Sequence, residues 1–218
     1  MSRLVPDKWL KTNVLLKHQG IARHIPETRK FTGPQLARML NKYGRVVIKP
    51  SLGTGGHGVI LIYKQGTSYM IHHKQSVTRK RTLRGMLKEI NRLRRGRAYL
   101  VQRGISLAQI DGRPIDFRVK LIVRNGRWIT KAIVAKWARP GLIVTNICQG
   151  GTLLKARDAI RRSLSVAPEE KVRKLRALSY RSMRILSASF PGIDKLGFDY
   201  GVDTRGRIWM LEVNTKPS

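Results

Sequence analysis

A chain of 218 residues, 41% of them hydrophobic, is long enough to bury a sizeable core in one large domain or two small lobes, so the composition predicts a folded protein. Against 12 Asp and Glu stand 45 Lys and Arg, a net charge of +33 that attracts phosphate, nucleic acid, anionic lipid or acidic polypeptide and says nothing about fold. The single Cys148 excludes an internal disulfide and a cysteine-based metal site, no stretch reaches the roughly 18 apolar residues of a membrane span, and residues 1–6 lack the apolar core of a signal peptide. The expectation is a cytoplasmic protein.

Residues 1–43 read as two helical pieces. Asp7 can cap a helix through Leu16, with Trp9, Leu10, Asn13 and Leu16 at helical spacing, and Thr32 opens a second helix carrying Leu36, Met39 and Leu40. Lys8, in the first turn, is most simply a solvated lysine. The period then changes to that of a strand over 46–50, which runs into Ser51-Leu-Gly-Thr-Gly-Gly-His-Gly58 and leaves as a second strand over 59–63. Gly53-x-Gly55-x-x-Gly58 fits the spacing of a dinucleotide fingerprint, but that motif needs a following helix and an acidic residue about 20 positions on. Here a strand follows and the region near position 78 is basic. Strand, glycine loop, strand is the form of a lid over phosphates, because glycines let backbone N–H groups approach the oxygens. Lys49, at the end of the incoming strand, can supply a point charge there. An ordinary glycine-rich hairpin is the alternative.

A strand over 68–72 precedes a helix from about Thr82, with Leu83, Met86, Leu87 and Ile90 on its inner stripe. Arg84, Lys88 and Arg92 repeat at four-residue steps on its outer face. Nine basic residues between positions 79 and 97, against Glu89 alone, read either as a solvated face or as an anion-docking surface. A strand over 98–102 then leads to a crossover at 103–107, where a nucleobase can lie against the backbone and Gln102. Two long strands, 115–123 and 127–136, are joined at Asn125-Gly126, a strong hairpin signal. Asp116, Arg118 and Lys120 share one face of the first. Helices follow at 153–163 and, after Pro168, at 168–189.

The tail, Gly197-Phe-Asp199 through Pro217, reads as two alternating strands around Asp203-Thr204-Arg205-Gly206. Period two puts Glu212 and Asn214 on one face, where Asp199 can meet them from the facing strand. Two carboxylates and an amide oxygen form a hard oxygen site of the kind Mg²⁺ uses, whereas a lone Glu-x-Asn in a solvated hairpin is the plainer alternative.

Taken in order, Lys49-Pro50 with the glycine loop, Gly112-Arg-Pro-Ile-Asp-Phe-Arg118, Thr145-Asn146 with Gly150-Gly151, and Gly197-Phe-Asp199 with Glu212-Val-Asn-Thr-Lys-Pro217 resemble the ATP-grasp superfamily. Among its branches they are most similar to the YheC/YheD-like, endospore coat-associated family, with similarity to the ribosomal-protein glutamate ligases. The resemblance implies an α/β (α+β) chain: two lobes with mainly antiparallel sheets clasping a nucleotide, without the amino-terminal pre-grasp domain. It divides the chain into a helical lead-in (1–43), a small lobe with the lid (44–104) and a large lobe with the metal site (105–218). It further implies ATP as cosubstrate, with Asp199, Glu212 and Asn214 holding two Mg²⁺ or Mn²⁺ ions. Lys8, Lys49, Gln102 and the lid residues Gly53, Thr54, Gly55, Gly56 and Gly58 would hold the nucleotide, and Arg118, Lys136 and Asn146 would face the γ-phosphate and the reacting carboxylate. Lys136 stands where the glutamate ligases tend to have arginine, and Arg103 where many relatives are acidic. The implied activity is carboxylate–amine ligation (less often thiol) through an acyl phosphate. The net charge adds an acidic peptide or protein as the expected substrate, with nucleic acid or a spore layer as the alternative partner.

Overall fold

The computed structural model describes residues 3–217. Asp7 stops the extended entry and its carboxylate accepts from the Trp9 N–H at 2.7 Å, starting α1 (Lys8–Leu16), with one further turn as α2 (Gln19–Ala22). The buried stripe of α1 is Lys8, Lys11 and Leu15 rather than the expected Trp9, Leu10, Asn13 and Leu16, and Leu10 is exposed. This helix turns charged side chains inward, because Lys11 donates to the carbonyls of Val5 and Asp7. Apolar spacing alone misreads such a helix.

Next come β1 (Thr28–Lys30), α3 (Gly33–Tyr43), β2 (Arg45–Pro50), β3 (Ile60–Gln65), β4 (Ser68–His73), β5 (Ser76–Lys80), α4 (Leu83–Arg94) and β6 (Tyr99–Arg103). Thr32 and Thr82 cap the two longer helices through their side-chain oxygens. The strands make one antiparallel sheet, in the order β1-β6-β2-β3-β4-β5, and α3 and α4 cover a core that includes Leu36, Met39, Ile48, Ile62, Met86 and Ile90. Leu83, expected on the inner stripe of α4, is its first residue and stays largely exposed, while the stripe begins at Met86.

The rest of the chain forms β7 (Gln109–Ile110), β8 (Arg113–Arg124), β9 (Arg127–Trp137), a 3₁₀ turn over Ile147–Gln149, β10 (Thr152–Lys155), α5 (Ala156–Ser163), α6 (Pro168–Ser189), β11 (Lys195–Val202) and β12 (Ile208–Asn214). The second antiparallel sheet runs β10-β9-β8-β11-β12, with β7 on β8. Asn125 and Gly126 both take positive φ, as the tight β8–β9 hairpin requires. Asp203 closes the β11–β12 loop by accepting from the Arg205 and Arg207 N–H groups. The helix expected from 153 begins at Ala156, because residues 152–155 pair with β9 as an edge strand. The first 43 residues divide between the two cores: Leu15, Ile21 and Ile25 join the second, whereas Leu36, Met39 and Leu40 join the first.

Even-numbered residues of β11, among them Phe198 and Tyr200, and odd-numbered ones of β8, among them Phe117 and Val119, face that second core, so Asp199, Asp116 and Arg118 emerge on the opposite face. Along β12 the rule breaks. Asp199 pairs with Glu212 but Tyr200 with Met210, so Leu211 is an extra residue, a β-bulge. Before it Ile208 and Met210 enter the core; after it Val213 does. The bulge thereby turns Glu212 and Asn214 to the face that carries Asp199.

Tyr200 anchors this arrangement from beneath. Ser179 donates its hydroxyl proton to the Leu175 carbonyl, which makes Tyr200 the donor in the 2.9 Å contact between the two hydroxyls. In urea unfolding, Tyr200→Phe is expected to cost about 1 kcal/mol, since the serine keeps its bond, whereas Phe198→Ala, two residues away, costs about 3–5 kcal/mol through the cavity it opens.

Candidate functional site: a cleft between the two sheets

The two sheets face one another across a cleft of about 1010 Å³. One wall carries the glycine loop, which leaves β2 and returns as β3. Gly53, Gly55, Gly56 and Gly58 all have positive φ, so the loop depends on glycine for its path. It rests on the opposite wall: the Gly55 carbonyl accepts from the Gln149 amide at 2.6 Å and from the Cys148 thiol at 3.4 Å, and a Cβ on Gly56 would meet Asn146 Oδ1 at 2.3 Å. The Asn146 side chain thus sits directly under the loop. Thr54, at the loop's tip, lines the cleft with it.

Lys8 is not solvated. It is 7% exposed, donates to the Gly53 carbonyl and lies 3.6 Å from Glu212 Oε1, so α1 delivers a cation to the base of the loop. Lys49, at the end of β2, is buried and donates to Gln102 Oε1 at 3.0 Å and to the Leu211 carbonyl at 2.6 Å. Leu211 is the bulged residue, outside the register of β12 with β11 on the edge of its sheet. Gln102 is in turn fixed by donating to Thr28 Oγ1 at 2.8 Å. Its amide thus makes one bond at each end, to Lys49 and to Thr28. Arg103, the next residue, stacks over Tyr43 and Trp209.

The floor of the second sheet is a lattice of charges. Arg118 meets Asp199 with two parallel bonds of 2.8 Å, and Lys136 bridges Asp199 and Asp116 at 3.0 Å each. Thr145 donates to the second oxygen of Asp116, and Asn214 donates to Asp199 Oδ2 at 3.2 Å. The pairing of Asp116 with Lys136, of Arg118 with Asp199 across the strands, and of Thr145 with Asp116 was not legible in residue spacing. Burial pushes the Asp116 carboxyl up, whereas at Asp199 the same burial is outweighed by Lys136 and Arg118, which hold it below its ordinary value. Burial alone would lower Lys136; Asp116 and Asp199 reverse that and leave it raised.

A divalent cation can be tested against these donors. Among the described residues no three His, Cys, Asp or Glu side chains gather as a metal cluster. Glu212 is half-buried on the cleft face, and Asn214, donating through Nδ2, keeps Oδ1 for another partner. Asp199 accepts four bonds, two at each oxygen, and would join them on releasing one donor. Two or three hard oxygens fit an ion that completes its shell with water and phosphate oxygens.

The YheC/D-like ATP-grasp family model matches residues 1–218. The chain belongs to that family. It is 26% identical to endospore coat-associated protein YheD of Bacillus subtilis (strain 168) over 97% of its own length and 48% of the relative's, and 27% identical to YheC of the same organism, over 100% and 61%. The chain thus spans about half to three-fifths of these relatives. Solved ATP-grasp folds match nearly all of it at low identity. Carboxyaminoimidazole ribonucleotide synthase of Aspergillus clavatus, complexed with ATP, superposes with a TM-score of 0.62 at 12% identity, covering 99% of this chain and 46% of that one. The Staphylococcus aureus N5-carboxyaminoimidazole synthetase, complexed with ADP, gives 0.61 at 11%, with the same coverage. These likenesses show the mixed α+β ATP-grasp fold, here a single ATP-grasp domain. No helix among the described residues is long and apolar enough to cross a membrane.

Burial lowers Lys49 from its ordinary 10.5 to about 8, a shift that Glu212 only partly opposes. Between those two pH values the unfolded chain binds a proton that the folded one has released, so this lysine makes stability rise with pH from about 8 to 10.5. Urea unfolding of the parent and of Lys49→Met across that window is expected to differ by a rise on the order of 3 kcal/mol, present in the parent and missing from the variant.

Proposed function

We propose that the chain is an ATP-dependent carboxylate–amine ligase. The observation that carries this reading is the convergence of two buried lysines, Lys8 and Lys49, with Glu212 and Asn214 beneath a glycine loop, on the sheet face that also carries Arg118 and Lys136. Cations gathered around a carboxylate and an amide oxygen are what a metal-bound triphosphate requires. Glu212 and Asn214, with Asp199, would hold magnesium or manganese, which would supply neutralisation of phosphate charge.

In the proposed reaction a substrate carboxylate oxygen attacks the γ-phosphorus of ATP. The new O–P bond forms as the bond to ADP breaks, and an amine then attacks the acyl carbon and expels phosphate. Lys49, fixed by Gln102 and the Leu211 carbonyl, would hold the phosphates in place. Arg118, oriented by Asp199, would bring its permanent charge to the transferring group. Lys136, held between two carboxylates, keeps its proton and its charge near the reacting carboxylate. Asn146 and the loop over it would exclude water from the acyl phosphate. Positioning and charge neutralisation supply most of the acceleration in phosphoryl transfer, and these are the contributions the residues offer.

A second reading, a nucleic-acid-binding or structural spore-associated protein on a scaffold without ATP chemistry, is favoured by the net charge of +33 and by the names of the relatives. Titration calorimetry separates the two. Mg-ATP is expected to bind the parent, and Glu212→Ala to weaken it at least about tenfold, with Arg118→Ala binding within a few-fold but turning over about 100-fold slower on an accepted substrate. Equal heats from parent and Glu212→Ala, together with salt-dependent duplex binding untouched by that substitution, would decide for the second reading.

A further inference from the structure

The sheet that carries the glycine loop ends at β5, which pairs with β4 on one side only. An edge strand offers unpaired backbone groups to any extended chain that lies beside it. Around this edge the side chains are basic. Arg79, Lys80 and Arg81 lead from β5 into α4, which adds Arg84, Lys88 and Arg92. Glu89 is the only carboxylate between positions 79 and 97, and its ion pairs go to Arg92 and Lys80. The positive field of Arg81, Arg84 and Lys88 is therefore not balanced from within that stretch. Two apolar side chains, Val77 on β5 and Leu83 at the start of α4, stand 50% and 39% exposed among these cations.

A polyanion would relieve that repulsion, and the accompanying features choose its class. No aromatic residue is among the large hydrophobic side chains exposed in the described residues, so the surface lacks platforms on which nucleic-acid bases stack. An open strand edge beside exposed Val77 and Leu83 instead matches main-chain pairing with alternating side-chain contacts. From β5 to β2, the strand of Lys49, is three steps in the sheet, about 15 Å at roughly 4.8 Å per step. An extended peptide covers that distance with about five residues.

We propose that the β5 edge and α4 form a docking groove for an acidic, extended polypeptide, which adds to the sheet as a further strand. The inference deepens the ligase reading by naming its substrate class, and it rests on that reading for its link to the cleft. The docking itself is measured on the full chain without nucleotide, so a protein that failed to bind Mg-ATP would still return a result here.

The probes are a fluorescent peptide alternating Glu with Val, a peptide with the same number of Glu residues separated by Pro-Pro, so that prolines fall on both edges, and a DNA duplex of equal charge, read by anisotropy at low and high salt. The Glu-Val peptide is expected to bind most tightly. The proline peptide, which cannot pair as a strand, should bind about tenfold more weakly, and Arg81→Glu combined with Arg84→Glu and Lys88→Glu should weaken the Glu-Val peptide by about tenfold or more. The corresponding Gln substitutions, milder for the fold, should give an intermediate loss, and circular dichroism monitors folding of each variant. Equal affinity for the proline peptide would overturn strand addition. Tighter binding of the duplex would make the face a nucleic-acid surface, and insensitivity to both sets of substitutions would place docking elsewhere.

Discussion

The structure depends on one buried exchange of charge: Lys136 between Asp116 and Asp199, with Arg118 closing on Asp199. Four adjacent strands, β9, β8, β11 and β12, contribute to it, the last through Asn214. Two cations and two carboxylates cancel, so the cleft floor can be dry without leaving a net charge in low dielectric. Such a lattice is a weak source of stability, because desolvation consumes much of what the pairing returns. Its effect is on geometry. With both oxygens of Asp199 engaged, the planes of the carboxylate and of the Arg118 guanidinium are fixed relative to the sheet.

The bulge at Leu211 makes a second dependence visible. Regular alternation through β12, with Leu211 in register, would put Glu212 and Asn214 on the parity of Met210, facing the apolar core. The face of Glu212 and Asn214 and the Leu211 carbonyl that holds Lys49 thus meet at the same local irregularity. Gln102 and Thr28 continue the chain of bonds across β6 to β1, so the lysine's position is determined by both sheets at once. A buried lysine with so few negative neighbours is poorly neutralised, and that deficit is available to an incoming anion.

Much of the architecture was legible in the sequence because period and turn chemistry agreed there. Asn125-Gly126, the Thr32 and Thr82 caps and Pro168 each mark a boundary that the structure keeps. The glycine loop and the Glu212–Asn214 pair were legible as a face and a flap. What spacing could not give were partners supplied by distant strands. Nothing near Lys8 in the chain says that it is buried under Gly53, 45 positions on, and nothing near Gln102 says that its amide bonds Lys49 and Thr28. Short edge strands such as β1, β5 and β10 escaped because three to five residues with mixed polarity carry no period, and pairing with a long neighbour decides their state. The bulge was hidden for a related reason. A strict alternation through 208–214 predicts the correct face for Glu212 and Asn214 only relative to each other, and the inserted residue changes which face that is.

The charge of the protein divides along the same line between inside and outside. In the cleft, Lys8, Lys136 and Arg118 have a carboxylate within 3.6 Å, and Lys49 has two oxygen acceptors. Placement in the interior is thus specified cation by cation, as desolvation demands. On the surface the excess is not specified in this way. Glu27 gathers Arg29, Arg38 and Lys42, and Glu89 gathers Lys80 and Arg92, so two of the few acids are shared among five cations. Exposed pairs of this kind contribute little to stability and are screened by salt. Selection for folding alone therefore gives no reason to hold nine cations in nineteen positions beside an open strand, whereas a long-range field that concentrates an anionic partner does. The interior charges fix geometry, and in the acidic-peptide proposal the exterior ones set what arrives.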